Sequence, residues 1–181
     1  YKGDPVYLIK DGNANFNISF EAKDGRTYNT QDLYFEPNLS TENGNQTLSM
    51  RAKVSDVEFL EFYYGLEPND YMMNFGIRSQ GLNNIISSEK ANLSWDVKAL
   101  RKAKSISYEN RYTEIVYLYE GDKDDYTGQG DEAIEEDELV EWIAFKQHFF
   151  SSILLSDTPF SNGKMTSKNL VQDEQVDTTF T

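Results

Sequence analysis

Residues 47–82, TLSMRAKVSDVEFLEFYYGLEPNDYMMNFGIRSQGL, decide the fold class. Leu48, Met50, Ala52 and Val54 alternate with Ser49, Arg51 and Lys53, and Tyr71, Met73, Phe75 and Ile77 alternate with Asn74 and Arg78. A period of two sends successive side chains to opposite faces of an extended chain, so these runs are expected to be half-buried antiparallel strands. The Pro68-Asn69-Asp70 corner between FLEFYYGLE and YMMNFGI has the turn chemistry a hairpin needs. Upstream, Phe16, Ile18 and Phe20 alternate with Asn17 and Ser19, and Asp11-Gly12, Asp24-Gly25 and Asn43-Gly44 mark further tight turns. Downstream, strands are expected at 93–97, 105–108 and 113–119. About eight strands in the first 120 or so residues, with no long helical pattern among them, argue for stacked antiparallel sheets.

The pattern changes after Glu120. Residues 121–131, GDKDDYTGQGD, are Gly- and Asp-rich and nearly free of apolar residues, which predicts an exposed acidic loop. Between 132 and 155, Leu139, Trp142, Ile143, Phe149, Phe150, Ile153 and Leu154 fall at steps of three and four, with Lys146 the one charged interruption of that face. This spacing predicts an amphipathic helix over 132–155. Its charge order agrees with a helix dipole, acidic from Glu135 to Glu141 and basic at Lys146. Residues 156–181 are polar and read as a tail or an edge strand. The expectation is a single domain over 1–181: strands to 120, the acidic loop, the helix and the tail.

The chain has 181 residues, with 17 Lys and Arg against 31 Asp and Glu, a formal net charge of −14. Folded chains of this length bury roughly 70% of the surface exposed by the unfolded state, and 38% hydrophobic residues suffice for a core. A charge of −14 repels phosphate backbones and anionic headgroups alike. The one tight basic cluster, Lys98, Arg101, Lys102 and Lys104, cannot make a groove-tracking stripe, so nucleic acid is excluded as a partner. There is no Cys, which removes thiolate metal sites, disulfides and thiol nucleophiles. No run reaches the ~18 apolar residues of a membrane span. A chain that opens on Tyr1 rather than Met reads as a piece of a longer protein.

Candidate chemistry is sparse. His148 is the sole histidine, so multi-histidine metal sites are impossible and any triad must use it. The run Asp122, Asp124, Asp125, Asp131 and Glu132 invites a calcium reading, but Tyr126 stands where a ligand is required and the solvated-loop reading is preferred. The aromatic segments Phe62-Tyr63-Tyr64 and Tyr117/Tyr119 fit a sugar-stacking platform or, more simply, cross-strand packing. GQGDEA at 128–133 lacks the Lys of a phosphate loop. Asn17, Asn38, Asn45 and Asn92 open N-x-S/T sequons, about as many as chance supplies. These residues alone lead to an acidic β-rich domain with no catalytic residues, no metal site and no cofactor.

Three segments together resemble the large periplasmic domain of the bacterial YidC membrane protein insertases: residues 47–82, the LSWDVKAL of 93–100 with Trp95, and the WIAFKQHFFSSILL of 142–155. The resemblance implies a mainly-β fold, a distorted antiparallel β-sandwich of the supersandwich, galactose mutarotase-like kind with a C-terminal amphipathic helix. It also implies a parent in the bacterial inner membrane, whose transmembrane helices insert client membrane proteins while this domain faces the periplasm. The domain is then a non-catalytic scaffold that contacts the Sec translocon, SecYEG, and its accessory complex SecDF. The partner-binding residues implied by the motif are Trp142, Phe145, Gln147, His148, Phe149 and Phe150, although Trp142, Phe149 and Phe150 equally suit a core face. A carbohydrate-binding or carbohydrate-processing β-sandwich is the alternative; mutarotases need a Glu and two His, and a single His falls short.

Overall fold

The computed structural model describes residue 3 and residues 5–87, 91–127 and 132–171. The chain divides into two compact units, Asn15–Asp96 and Tyr1–Ala14 with Val97–Thr181. Both are β-rich, and the mainly-β sandwich expected from the sequence is what forms.

In the first unit, β3 (Glu36–Glu42), β4 (Asn45–Ser55), β5 (Glu58–Leu66) and β6 (Met73–Gln80) make a four-stranded antiparallel sheet in that order. A second sheet has the order β2-β1-β7, from β1 (Ala14–Glu21), β2 (Thr27–Asn29) and β7 (Asn92–Val97). Asn43 and Gly44 form the two-residue link between β3 and β4, both with positive φ, the twist that suits a tight hairpin. One face of the four-stranded sheet carries the register partners Met50, Phe62 and Ile77, and next to them Leu48, Tyr64 and Phe75. Phe16 of β1 meets Phe62 and Phe75 edge-on at 6.4 and 5.4 Å, and Phe35 stacks on Phe62 at 5.1 Å. These contacts join the two sheets.

The opposite face carries a charged rung. Arg51, Glu61 and Arg78 are direct partners across β4, β5 and β6. Glu61 is 1% exposed; Ser49 Oγ and Arg51 Nε each donate to its Oε1 at 2.6 Å, and Arg78 pairs with Oε2 off the line of a hydrogen bond. Arg51 also lies 4.3 Å above the buried Phe59 ring. Burial by itself pushes the Glu61 carboxyl up, but Ser49, Arg51 and Arg78 outweigh it and hold it at about 2.

The second unit contains α1 (Ile106–Asn110), β8 (Glu114–Tyr119), β9 (Lys123–Tyr126), β10 (Glu132–Asp137), β11 (Val140–Lys146), β12 (Ser151–Phe160) and β13 (Gly163–Lys168). Strands β12-β11-β8-β9 form one antiparallel sheet and β10-β13 another. The pairings show how the two are made. β10 pairs with β13 from Glu132↔Lys168 to Asp137↔Gly163, and β11 pairs with β12 from Val140↔Phe160 to Lys146↔Ser151. Residues 132–168 are thus one long hairpin that bends at Leu139 in one arm and Asn162 in the other, both with positive φ, with a register shift just beyond the bend. Its two halves close over Ile115, Tyr117, Val140 and Met165.

Several expectations are corrected. No helix occupies 132–155; that segment is β10, β11, the turn and the first half of β12. The spacing misled because both faces of β11 are partly buried, so Trp142, Ile143, Ala144 and Phe145 show no clean alternation, while the two turns shift the phase. Val140, Trp142, Ile143 and Phe145 make β11 rich in β-branched and aromatic residues, which favour the extended chain. Residues 105–108, expected as a strand, cap and begin α1: Ser105 Oγ accepts from the Tyr108 N–H at 3.3 Å. Within the acidic loop, 123–126 form β9, and 128–131 lie outside the described residues. Of the tail, 156–160 complete β12 and 163–168 form β13; 172–181 lie outside the described residues.

Two measurements test this packing. Because Glu61 is held below its ordinary 4.5, its stabilising contribution is complete above that pH and is lost as pH falls from about 4.5 towards 2. Glu61→Gln is expected to lower stability by about 3 kcal/mol at neutral pH and to remove this part of the acid limb, read from chemical denaturation of both proteins between pH 7 and 2. A Cβ on Gly163 would lie 2.6 Å from Val140 Cγ2, which is fully buried. Gly163→Ala should therefore cost about 1–3 kcal/mol, measured as a shift of the denaturation midpoint.

Candidate functional site

The residues singled out in the sequence do not form one surface. Trp142 and Phe145 point to opposite faces of β11: Trp142 aligns with Leu118 and Leu155, whereas Phe145 aligns with Ile115 and packs on the core. Gln147, His148, Phe149 and Phe150 make the four-residue turn between β11 and β12. This turn is closed by the Gln147 N–H donating to the Phe150 carbonyl at 2.7 Å. The Gln147 side chain is anchored as well, Nε2 donating to the Leu100 carbonyl at 2.9 Å. Phe150 is half-buried, and Phe149 stands 63% exposed at the tip.

The structure adds residues that the sequence reading missed. Tyr108 and Tyr112, four apart across the end of α1, meet His148 at 5.1 and 4.8 Å and each other at 5.2 Å; Phe149 lies 4.1 Å from the His148 ring. His148 is therefore the centre of a partly exposed aromatic cluster, with Tyr108 and Phe149 outermost. The signal was present as two tyrosines at i and i+4, but reading 105–108 as a strand concealed it.

The second missed residue is Glu109. It is 4% exposed, and its carboxylate accepts from the backbone N–H of Lys102 at 2.8 and 3.0 Å and of Ala103 at 2.8 Å. The loop after β7 is thereby folded back on α1. Arg101 reinforces the loop by donating to the carbonyls of Ala103, at 3.0 Å, and Lys104. Lys98 holds the other end, its N–H donating to the Asn13 carbonyl at 2.7 Å and its carbonyl accepting from Asn13 Nδ2 at 3.0 Å. Beside loop and turn lies an open cleft of about 760 Å³, lined among others by Leu8, Leu100, Ile106, Phe145 and Leu170.

Other candidates dissolve into structure. Phe62 and Tyr64 face the sheet interface and Tyr63 the opposite side, so the run offers no platform of adjacent rings. Tyr117 is fully buried and donates to Asp137 Oδ2 at 2.7 Å. Asn17 is buried, and its Nδ2, the atom that would carry a glycan, donates to Asn29 Oδ1 at 3.2 Å. Among the described residues no helix is long and apolar enough to cross a membrane.

The YidC periplasmic domain family matches residues 2–181. Relatives named Membrane protein insertase YidC include those of Porphyromonas gingivalis, 32% identical over 93% of this chain and 27% of the relative; Phocaeicola vulgatus, 34% over 91% and 26%; and Bacteroides fragilis, 32% over 91% and 26%. The chain spans about a quarter of the length of these relatives. No solved structure gives a significant match. The chain belongs to the YidC periplasmic domain family, as the sequence resemblance implied.

Glu109→Ala removes a carboxylate that satisfies two backbone donors. The expected result is a stability loss of about 2 kcal/mol and faster trypsin cleavage after Arg101, Lys102 and Lys104, read by mass spectrometry of timed digests.

Proposed function

We propose that this chain is the periplasmic module of an inner-membrane protein insertase, a non-catalytic scaffold that presents a contact surface to SecYEG and SecDF while the rest of the parent handles client membrane proteins. The family match over 2–181 carries this reading. The contact element is the turn from Gln147 to Phe150, not the whole set expected from the sequence. Its tip exposes a large ring on a short, hydrogen-bonded turn. An exposed aromatic held in place is the kind of anchor that dominates protein interfaces. Trp142 and Phe145 support it from the strand.

The experiment places Phe149→Ala, Gln147→Ala and His148→Ala in the full-length parent and scores growth of insertase-depleted cells and copurification with SecYEG and SecDF. Phe149→Ala should impair both while shifting the stability of the 181-residue chain by no more than about 0.5 kcal/mol. Gln147→Ala should cost about 1 kcal/mol through its lost bond to Leu100. Full copurification by a folded Phe149→Ala protein would sink the contact role.

A further inference from the structure

The net charge of −14 conceals a local reversal. Residues 98–113, KALRKAKSISYENRYT, contain Lys98, Arg101, Lys102, Lys104 and Arg111 against the single acid Glu109. That acid is buried, and backbone N–H groups occupy its carboxylate. Of the flanking acids, Glu114 is paired with Lys146 and Asp96 is exposed at the end of β7, which still leaves the stretch cationic. Lys98, Lys104 and Arg111 are exposed. Since Debye screening limits charge effects to ~8 Å at physiological salt, an approaching surface senses this cluster rather than the average of the chain.

The aromatic cluster shares the same stretch. Tyr108 and Tyr112 lie on α1 and just beyond it, with Arg111 next to Tyr112 in the chain. Phe149 is brought alongside through His148. Exposed Tyr and Phe rings interleaved with Lys and Arg match the chemistry of a membrane–water interface: rings enter the headgroup layer while cations meet phosphates. Soluble acidic ligands would use the cations but leave Phe149 and Tyr108 in water.

Both described ends of the chain come to this region. Leu8 and Ile9 from the start, and residues 166–171 from the end, line the same cleft as Lys98, Arg101 and Arg111.

We propose that the stretch 98–112, with the exposed Lys98, Lys104, Tyr108, Arg111 and Tyr112 and the Phe149 ring that His148 brings beside it, docks on an anionic phospholipid surface. The choice of lipid over another anionic partner rests on the insertase reading, which puts the parent in a membrane. The remaining acidic surface is repelled by the same lipid, so attraction and repulsion together orient the domain.

The test uses the 181-residue chain and cosedimentation with vesicles of phosphatidylcholine alone or mixed with phosphatidylglycerol. Binding is expected only to the mixed vesicles and should weaken with salt. Each cation near the surface contributes about a fivefold factor, so Lys98→Glu/Lys104→Glu should reduce binding at least about 25-fold. Tyr108→Ser/Phe149→Ser should also reduce binding, with fluorescence of the remaining aromatic residues no longer responding to lipid. Lys23→Glu/Arg26→Glu makes the same change in net charge at exposed positions elsewhere and should retain binding. Equal losses in both charge variants, or no binding to mixed vesicles at low salt, overturn the proposal. Binding to polyglutamate with none to vesicles overturns it too and assigns the patch to an acidic protein. None of these failures touches the insertase reading, which growth of the depleted cells scores by itself.

Discussion

The hydrogen bond from Tyr117 to Asp137 governs the geometry of the second unit. Tyr117 is the largest fully buried side chain, and a buried hydroxyl without an acceptor would cost far more than a satisfied one contributes. Burial and the neighbouring Asp137 carboxylate both push the hydroxyl well above the usual tyrosine range, which keeps it a donor. The bond joins β8 of the four-stranded sheet to the last residue of β10 before the hairpin bend. It fixes which face of β8 looks inward. Register then carries that choice to Ile143 and Phe145 on β11 and to Leu154 on β12, and the turn at 147–150 follows.

The bend itself needs three special positions. Leu139 and Asn162 adopt the left-handed backbone, a rare state for a leucine, and Gly163 lets the arms meet beside Val140. None of this was legible from spacing. Glu138-Leu139 carries no turn residue, so the helical spacing runs through it unbroken; only the other arm, at Asn162-Gly163, has turn chemistry. By contrast, β1, β4 and β6 of the first unit were legible from the alternation of their sequences, whereas β2 and the exposed β3 gave no such signal. Turn residues at Asn43-Gly44 and Asp24-Gly25 agreed with the pattern. The central β11, partly buried on both faces, resembled a helix, and β10 and the first half of β12, whose burial does alternate, were taken in with it because the helical spacing runs through the bend and the turn.

The candidate site depended on the fold in another way. Gln147, His148 and Phe149 belong to a stretch that resembles a helical motif, and the structure places them in the turn between β11 and β12. The partners that define the site, Tyr108, Tyr112 and Glu109, are 36 to 41 positions away in sequence from His148 and Phe149. Such separations are invisible without a fold. Glu109 had looked like one acid among 31, and only its position against two backbone N–H groups distinguishes it.

The placement of Phe149 also bears on binding energetics. A ring on a floppy loop would lose much of its contact energy to ordering, roughly 0.5–1.5 kcal/mol for each side chain immobilised and more for the backbone. Here the ordering has already occurred during folding. The 147–150 turn is closed on itself, its first side chain is fixed to the loop at Leu100, and that loop is in turn fixed to α1 through Glu109. His148 fills the space beneath and packs on both tyrosines. An acid, an amide and an imidazole thus determine how rigidly the exposed aromatic is presented.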